Sequence, residues 1–240
     1  MLNAILEGKA GRVTLNEDKP QSWRAVFKSY EDLLTAAIFS RINYLSPAAM
    51  EIFFSSLLGV KQESWGDFES IKFWPKYIFP SPIDERMKPF FSRDEQFVEP
   101  DLVLTFEHAA LLIEVKPPAG GIQYQLQWRK ELYTYIKDDN AKENIHFLAL
   151  GNLPPAIESK FYELKEQFPQ VTFYGREWHD VRKIFQYSEW KSPQDKRIVI
   201  DCLKALALYG IREPLLAWQQ FYQFLEQTNL PSDILFLKEK

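Results

Sequence analysis

Three charged residues in the middle of the chain have the types and spacing of a metal-dependent hydrolytic site. Asp101 follows Pro100 at the head of one apolar run, and Glu114 and Lys116 close the next one, in the segment EPDLVLTFEHAALLIEVK. Two carboxylates held close together repel each other unless a cation lies between them. A hard divalent ion with oxygen ligands, Mg²⁺ or Mn²⁺, suits such a pair, and a neighbouring lysine can orient an attacking water or stabilise charge on a phosphate. The pattern therefore predicts metal-assisted phosphodiester hydrolysis.

A β-hairpin is the element that must position these residues. Residues 102–106 and 109–115 are short apolar runs rich in branched side chains, and two polar residues separate them. If those two residues form the loop, Asp101 lies opposite Glu114, with Cβ atoms about 4.5–5.5 Å apart. Side chains alternate along a strand, so Glu114 and Lys116 are expected on one face, together with Asp101.

A purely structural interpretation of the same residues stays open at this point. Asp101 would then be a turn residue after Pro100, and Glu114 with Lys116 would be a charge pair on the solvated face of a sheet. The apolar triplet at 111–113 favours the metal site, because it predicts a strand that is buried on both faces just before it delivers two charges.

The spacing resembles the signature of the PD-(D/E)XK nuclease superfamily: Pro100-Asp101, twelve intervening residues, then Glu114-Val115-Lys116. The resemblance implies that Asp101 and Glu114 bind a catalytic Mg²⁺, that the backbone carbonyl of Val115 assists, and that Lys116 serves the nucleophilic water. It also implies an α/β restriction-endonuclease-like core, in which helices flank a central mixed β-sheet.

The function implied by this resemblance is a Mg²⁺-dependent endonuclease, with Mn²⁺ able to replace Mg²⁺. DNA is the expected substrate, ahead of RNA, because most of the superfamily acts on DNA. Standalone members often serve in restriction or in defence against foreign DNA such as phage DNA. The alternative is a catalytically silent nuclease fold that serves as a binding or assembly module, or a subunit that is active only in a larger complex.

A helix is predicted after the triplet, because the helix breakers at 117–121 are followed by the segment IQYQLQWRKELYTYI. Gln123, Gln127 and Glu131 recur every four residues and share one face. Many superfamily members carry a glutamine or tyrosine on this helix, directed at the water or the substrate, and Gln127 resembles that residue. Gln125 is a competing candidate, and the coverage of a solvated face is the alternative explanation.

A further acid is predicted near the metal. The segment SYEDLLTAAIFSRINYL indicates an amphipathic helix that begins near Ser29 and places Glu31 on its apolar stripe. Several branches of the superfamily place an acid on a first helix beside the metal, so by resemblance Glu31 is a candidate ligand. Its favourable position at a helix N-terminus is the alternative explanation. Glu99 is a second candidate, since alternation turns it to the same side as Asp101.

The remaining patterns complete the expected order of helix, strand, strand, strand, helix, strand, helix and strand. They predict strands around 71–74, 145–150 and 171–174 and a helix at 157–168, with the last two strands parallel across a right-handed crossover. We expect a nuclease-like core at 1–176, with an N-terminal extension at 1–22. A helical extension at 177–240 is expected to pack on the core, on a partner protein or on a second copy through an apolar tail that holds Trp218, Phe221, Tyr222 and Leu225.

Composition argues against several other functions. A net charge of −4 does not suggest a protein that coats nucleic acid by bulk electrostatics. The stretch from Arg176 to Lys204 is relatively basic and contains Trp178 and Trp190, which could grip phosphates, although a solvated helical surface is the preferred interpretation. Cys202 is expected to be a core residue. No signal-like N-terminus and no run of 18 apolar residues is present, so a cytoplasmic protein without membrane contact is expected.

Overall fold

A central five-stranded mixed sheet organises this chain, of which the computed structural model describes residues 4–5, 7–14, 19–23, 25–26, 31–60, 65–92, 94–118 and 120–212. Two short antiparallel ribbons accompany the sheet. The strands in chain order are β1 (Arg12–Val13), β2 (Gln21–Ser22), β3 (Phe68–Phe73), β4 (Tyr77–Ile78), β5 (Phe97–Val98), β6 (Leu102–Phe106), β7 (Ala109–Val115), β8 (Asn144–Leu150) and β9 (Val171–Arg176). The ribbons pair β1 with β2 and β4 with β5, and the sheet has the order β3-β6-β7-β8-β9.

Helices cover both faces of the sheet. They are α1 (Glu31–Ile42), α2 (Pro47–Leu58), α3 (Gln125–Ile136), α4 (Ile157–Gln167), α5 (Trp178–Tyr187) and α6 (Pro193–Leu208). One apolar core joins α1, α2, α5 and α6 to the face of the sheet that carries Leu104, Leu111 and Ile113. A second core joins α3 and α4 to the opposite face, which carries Leu112 and Phe147. The expected mixed sheet flanked by helices is therefore confirmed.

The predicted hairpin is present with the expected register. β6 and β7 pair antiparallel, with Leu102 opposite Ile113 and Thr105 opposite Ala110, so that a two-residue loop joins them. Every residue of β7 is buried. Strand β8 pairs parallel to both β7 and β9, which confirms the predicted strand, helix, strand unit. The alternative interpretation, in which Glu114 and Lys116 form a charge pair on the solvated face of a sheet, is wrong, because every residue of β7 and Lys116 are buried.

Helix α2 has no counterpart among the predicted elements. Ser46 caps its N-terminus by accepting a hydrogen bond from the amide of Ala49, Pro47 occupies the first turn, and Gly59 ends the helix in the left-handed region. The carboxylate of Asp195 on α6 accepts hydrogen bonds from the backbone amide and the hydroxyl of Ser46, at 2.9 and 2.7 Å. This buried contact fixes the α1–α2 corner to the C-terminal helices.

The C-terminal part is helical as far as the structure describes it. Helices α5 and α6 belong to the same apolar core as α1 and α2, and Cys202 is buried there as expected. The predicted helix start at Ser29 and the apolar tail with Trp218, Phe221, Tyr222 and Leu225 lie outside the described residues. No helix in the described ranges combines the length and the apolar character needed to cross a membrane.

Candidate functional site

Asp101 and Glu114 lie side by side at the end of the hairpin. The register of β6 and β7 places Asp101, one residue before β6, opposite Glu114. An oxygen of Asp101, Oδ2, accepts a hydrogen bond of 2.8 Å from the backbone amide of Val115, and both carboxylates are buried. The side chain of Val115 is turned to the opposite face, where it joins the core with α1 and α2. The hairpin therefore delivers two acids to one face, as the alternation of side chains predicts.

Lys116 continues from β7 and points back at the same face. Its ammonium Nζ lies 2.7 Å from Oε1 of Glu114 and 3.4 Å from Oε1 of Glu31, the first residue of α1. The acid of the first helix, a candidate metal ligand, therefore contacts the lysine. The other candidate, Glu99, lies at the surface, where its Oε1 is 3.6 Å from Nζ of Lys76.

The peptide of Lys116 is fixed on both sides. Its amide donates to the carbonyl of Leu150 on β8, and its carbonyl accepts a 2.8 Å hydrogen bond from the indole Nε1 of Trp178 on α5. Gly151 makes this approach possible, because a Cβ at that position would lie 2.2 Å from the Lys116 carbonyl oxygen. Gly151 also has φ +83°, a region that favours glycine. A well-defined backbone is what a lysine needs in order to place its ammonium reproducibly.

The glutamines before and in α3 have three different roles. The amide Nε2 of Gln127 donates to Oε1 of Glu114 and to Oε1 of Glu131, each at 2.9 Å. Gln123, just before the helix, donates to the carbonyls of Glu114, Leu150 and Gly151, so it braces the backbone of the site. Gln125 points to α4, away from the two acids, and donates to the carbonyl of Lys160 and to the carboxylate of Glu163. Of the two competing glutamines, the structure therefore brings Gln127 to the site.

Burial disfavours the charged form of Asp101 and Glu114 and raises the pKa of both. Burial, with the charges of Glu31 and Asp32 adding to it, raises the pKa of Asp101 to about 6, against the hydrogen bond from Val115 and the charge of Lys116. Burial and the neighbouring acids Glu131 and Asp101 also raise the pKa of Glu114 well above its ordinary value.

The pKa values of Glu131 and Lys116 are shifted by the same buried surroundings. Burial raises the pKa of Glu131 to about 8, against the hydrogen bond from Gln127. Burial acts to lower the pKa of Lys116, but the nearby carboxylates of Glu114, Asp101 and Glu31 outweigh it and raise this pKa. Added positive charge would favour the ionised form of every acid in the group.

Two observations bear on whether the group fits a divalent cation. The oxygens Oε2 of Glu114 and Glu131 are buried and have no hydrogen-bond partner among the described residues. Carboxylate oxygens are the ligands that Mg²⁺ and Mn²⁺ prefer, so the chemistry of the donors fits. However, no three acidic, histidine or cysteine side chains in the described ranges converge as a ready-made ligand set. Lys116 and the amide of Gln127 occupy Oε1 of Glu114, so a cation would have to displace such contacts.

Two parts of the site were not assigned from the sequence. The spacing placed Glu131 on the face of Gln127, but nothing local showed that it would be 1% exposed and joined to Glu114 through an amide. Trp178 contacts a residue 62 positions away, which no local pattern reveals. The suggestion that Trp178 and Trp190 could grip phosphates is wrong, since both side chains are buried. Arg176, from the same stretch, donates instead to the carbonyls of Leu57 and Leu58 at the end of α2.

An open cleft of about 360 Å³ adjoins the site on the side of α3. It reaches Gln127 and Glu131, and its other walls come from the β5 region and the start of the helix: Glu95, Val98, Glu99, Tyr124, Leu126 and Lys130. Strand β4 pairs with β5 beside this opening. The cleft thus reaches the α3 side of the site, at Gln127 and Glu131.

Comparison with known proteins gives a distant relative and no assigned function. The chain is 27% identical to the uncharacterized protein PM0110 of Pasteurella multocida (strain Pm70), in an alignment that covers 91% of this chain and 83% of the relative. No family model matches the chain, and no solved structure matches it at a significant level.

Proposed function

We propose that this chain is a Mg²⁺-dependent nuclease with a restriction-endonuclease-like core, which hydrolyses phosphodiester bonds in DNA. The observation that carries the proposal is the convergence on one buried face of Asp101, Glu114 and Lys116, with the Lys116 ammonium 2.7 Å from Glu114. A buried lysine among acids with raised pKa values is typical of a functional site. The mixed sheet, with α1 before the hairpin and α3 after it, supports the proposal.

The superfamily resemblance gives each of these residues a role. Asp101 and Glu114 would hold the ion, Glu31 would add a carboxylate from α1, and the carbonyl of Val115 would assist. A bound Mg²⁺ would supply Lewis-acid polarisation of the scissile phosphate. Lys116, fixed through its own peptide, would orient the attacking water or stabilise negative charge that develops on the phosphate.

Gln127 completes the group from α3. Its amide reaches Oε1 of Glu114 at 2.9 Å, so a small rotation of the side chain would direct it at the water or the substrate. The preference for DNA, the endonucleolytic mode and a role in restriction or in defence against foreign DNA rest on the superfamily resemblance. Mn²⁺ is expected to replace Mg²⁺ because it accepts the same oxygen ligands.

The experiment is a cleavage assay on linear, supercoiled and single-stranded DNA, with Mg²⁺, with Mn²⁺ and with chelator. The parent runs beside Lys116→Ala and Asp101→Asn, and beside Lys72→Ala, which removes an exposed lysine from β3 of the same sheet. We expect metal-dependent cleavage by the parent and by Lys72→Ala, and none by Lys116→Ala, which should still bind Mn²⁺. Asp101→Asn should bind Mn²⁺ more weakly as well.

Two outcomes would contradict the proposal. Cleavage that persists in Lys116→Ala would indicate a contaminant or a different active site. A folded parent that cleaves none of the three DNA forms with either metal would favour a binding module or a subunit of a larger complex. Circular dichroism of each variant separates loss of activity from loss of fold.

A further inference from the structure

Glu131 is a buried acid for which the proposed reaction has no role. Its side chain is 1% exposed, in the middle of α3, and its Oε1 accepts a 2.9 Å hydrogen bond from Gln127. Its Oε2 is buried with no hydrogen-bond partner among the described residues, and the same holds for Oε2 of Glu114. Buried polar atoms without a partner are rare in native structures, so each of these oxygens calls for a missing positive or hydrogen-donating group.

The two acids are held apart by one amide nitrogen. Oε1 of Glu114 and Oε1 of Glu131 each lie 2.9 Å from Nε2 of Gln127, so they cannot be more than twice that distance apart. Two carboxylate oxygens that share a Mg²⁺ lie about 3–4 Å apart, since each is about 2.1 Å from the ion. A modest closure, with the amide moved aside, would bring the two acids to that spacing. The Gln127 nitrogen lies where two buried carboxylates would otherwise require a cation.

An open cleft lies next to this position. Glu131 and Gln127 both line the open cleft of about 360 Å³ on this side of α3. An ion could therefore arrive with part of its water shell, which Mg²⁺ gives up reluctantly. The ammonium of Lys116 contacts the same oxygen of Glu114, Oε1, that accepts the amide of Gln127, and it also lies 3.4 Å from Oε1 of Glu31. The second oxygen of Glu114, Oε2, is the one left without a partner among the described residues.

We propose that Glu131 and Glu114 bind a second divalent cation, which enters through this cleft and displaces the amide of Gln127. The inference deepens the proposed function, because Glu114 would also hold the first ion with Asp101. It gives Gln127 two positions, one between the acids when the second ion is absent and one free to contact water or substrate when the ion is bound.

The test counts Mn²⁺ ions per chain by isothermal titration calorimetry on the full-length protein. We expect two ions for the parent and one for Glu131→Gln, whose oxygen can still accept the hydrogen bond from Gln127. Glu99→Gln is the matched control, because it removes an exposed acid from the same cleft, and it should keep two ions. Electron paramagnetic resonance should show two coupled Mn²⁺ ions in the parent and isolated Mn²⁺ in Glu131→Gln.

A second variant keeps the proposal open to refutation if Glu131→Gln does not fold. Gln127→Ala removes the amide that has to be displaced, so it should bind the second Mn²⁺ more tightly, by on the order of tenfold. One Mn²⁺ per parent chain, or two in a folded Glu131→Gln, would overturn the inference. If the parent binds one ion and cleaves DNA, the proposed function stands without it. If the parent binds no ion and cleaves nothing, both are wrong.

Discussion

Replacement of Asp101 by asparagine should stabilise the metal-free protein at alkaline pH, although it should weaken metal binding. Asparagine has the same shape as aspartate, and its side-chain oxygen can keep the 2.8 Å hydrogen bond from the amide of Val115. What the substitution removes is the negative charge, which is unfavourable in this buried place. The expected gain can be worked out from the pKa of Asp101.

Burial raises the pKa of Asp101 from 3.8 to about 6. Below pH 3.8 the carboxyl is protonated in both the folded and the unfolded chain and has no effect on the free energy of unfolding. Between pH 3.8 and 6 the unfolded chain releases the proton first, so stability falls as the pH rises, and above pH 6 the whole cost is present. Two pKa units correspond to about 3 kcal/mol at pH 8 and to about half of that at pH 5.

Urea unfolding in chelator, at pH 5 and at pH 8, measures this directly. At pH 8 the free energy of unfolding of Asp101→Asn should exceed that of the parent by about 3 kcal/mol. For a chain of this size this corresponds to a thermal midpoint about 6–12 °C higher. Asp139→Asn, a substitution at an exposed position, is the control and should change little. With saturating Mn²⁺ the order should reverse, because the parent gains binding energy from its ligand. A variant no more stable than the parent at pH 8 in chelator would refute the electrostatic reasoning.

Three other substitutions test the framework of the site. Trp178→Phe removes the hydrogen-bond donor to the Lys116 carbonyl, so it should lower the free energy of unfolding by about 1–3 kcal/mol and also reduce cleavage activity. Trp190→Phe removes a similar indole hydrogen bond, to the carbonyl of Phe185, and should lower stability alone. Thermal unfolding and the cleavage assay would measure the two effects. Gly151→Ala should destabilise the protein by at least about 2 kcal/mol more than Gly120→Ala. Both glycines have positive φ, but only at Gly151 would a Cβ clash with its surroundings. Equal losses of stability in urea unfolding would contradict this reasoning. Burial acts to raise the pKa of Asp195, but hydrogen bonds from Ser46 and Ser192 outweigh it and lower this pKa. Asp195→Asn should therefore lower the free energy of unfolding by about 1–3 kcal/mol at pH 7, and this loss should shrink as the pH falls below 4. A loss that does not depend on pH would argue against a charged Asp195.

The parts of the site that the sequence predicts correctly depend on short-range geometry. Once two residues form the loop between β6 and β7, the pairing of Asp101 with Glu114 follows from counting, and the common face of Glu114 and Lys116 follows from a period of two. The spacing of four residues between Gln127 and Glu131 likewise places them together on one face of α3. Helix α2 also has local signals, with Ser46 before it, Pro47 in its first turn and Gly59 after it.

The parts that could not be predicted depend on contacts between distant segments. Trp178 belongs to a helix that the sequence assigns to a separate extension, yet it fixes the peptide of Lys116. Whether Glu131 faces solvent or lies buried is decided by how α3 packs on the sheet through Trp128 and Leu132, and periodicity does not show that depth. Gln125 and Gln127 are two residues apart, and only the position of α4 shows which of them turns away from the acids.

The contacts of the buried acids link the stability of the fold to the proposed reaction. Buried acids need compensation, and here Lys116 and the amide of Gln127 provide it by contacting Oε1 of Glu114. These are the same two groups that the proposed reaction requires near water and phosphate. Cations bound at the acids would take over the compensation and release both side chains for the substrate. The cost of burying these charges and the availability of Lys116 and Gln127 would then belong to one equilibrium. We expect the variant that gains most stability in chelator, Asp101→Asn, also to lose most affinity for the metal.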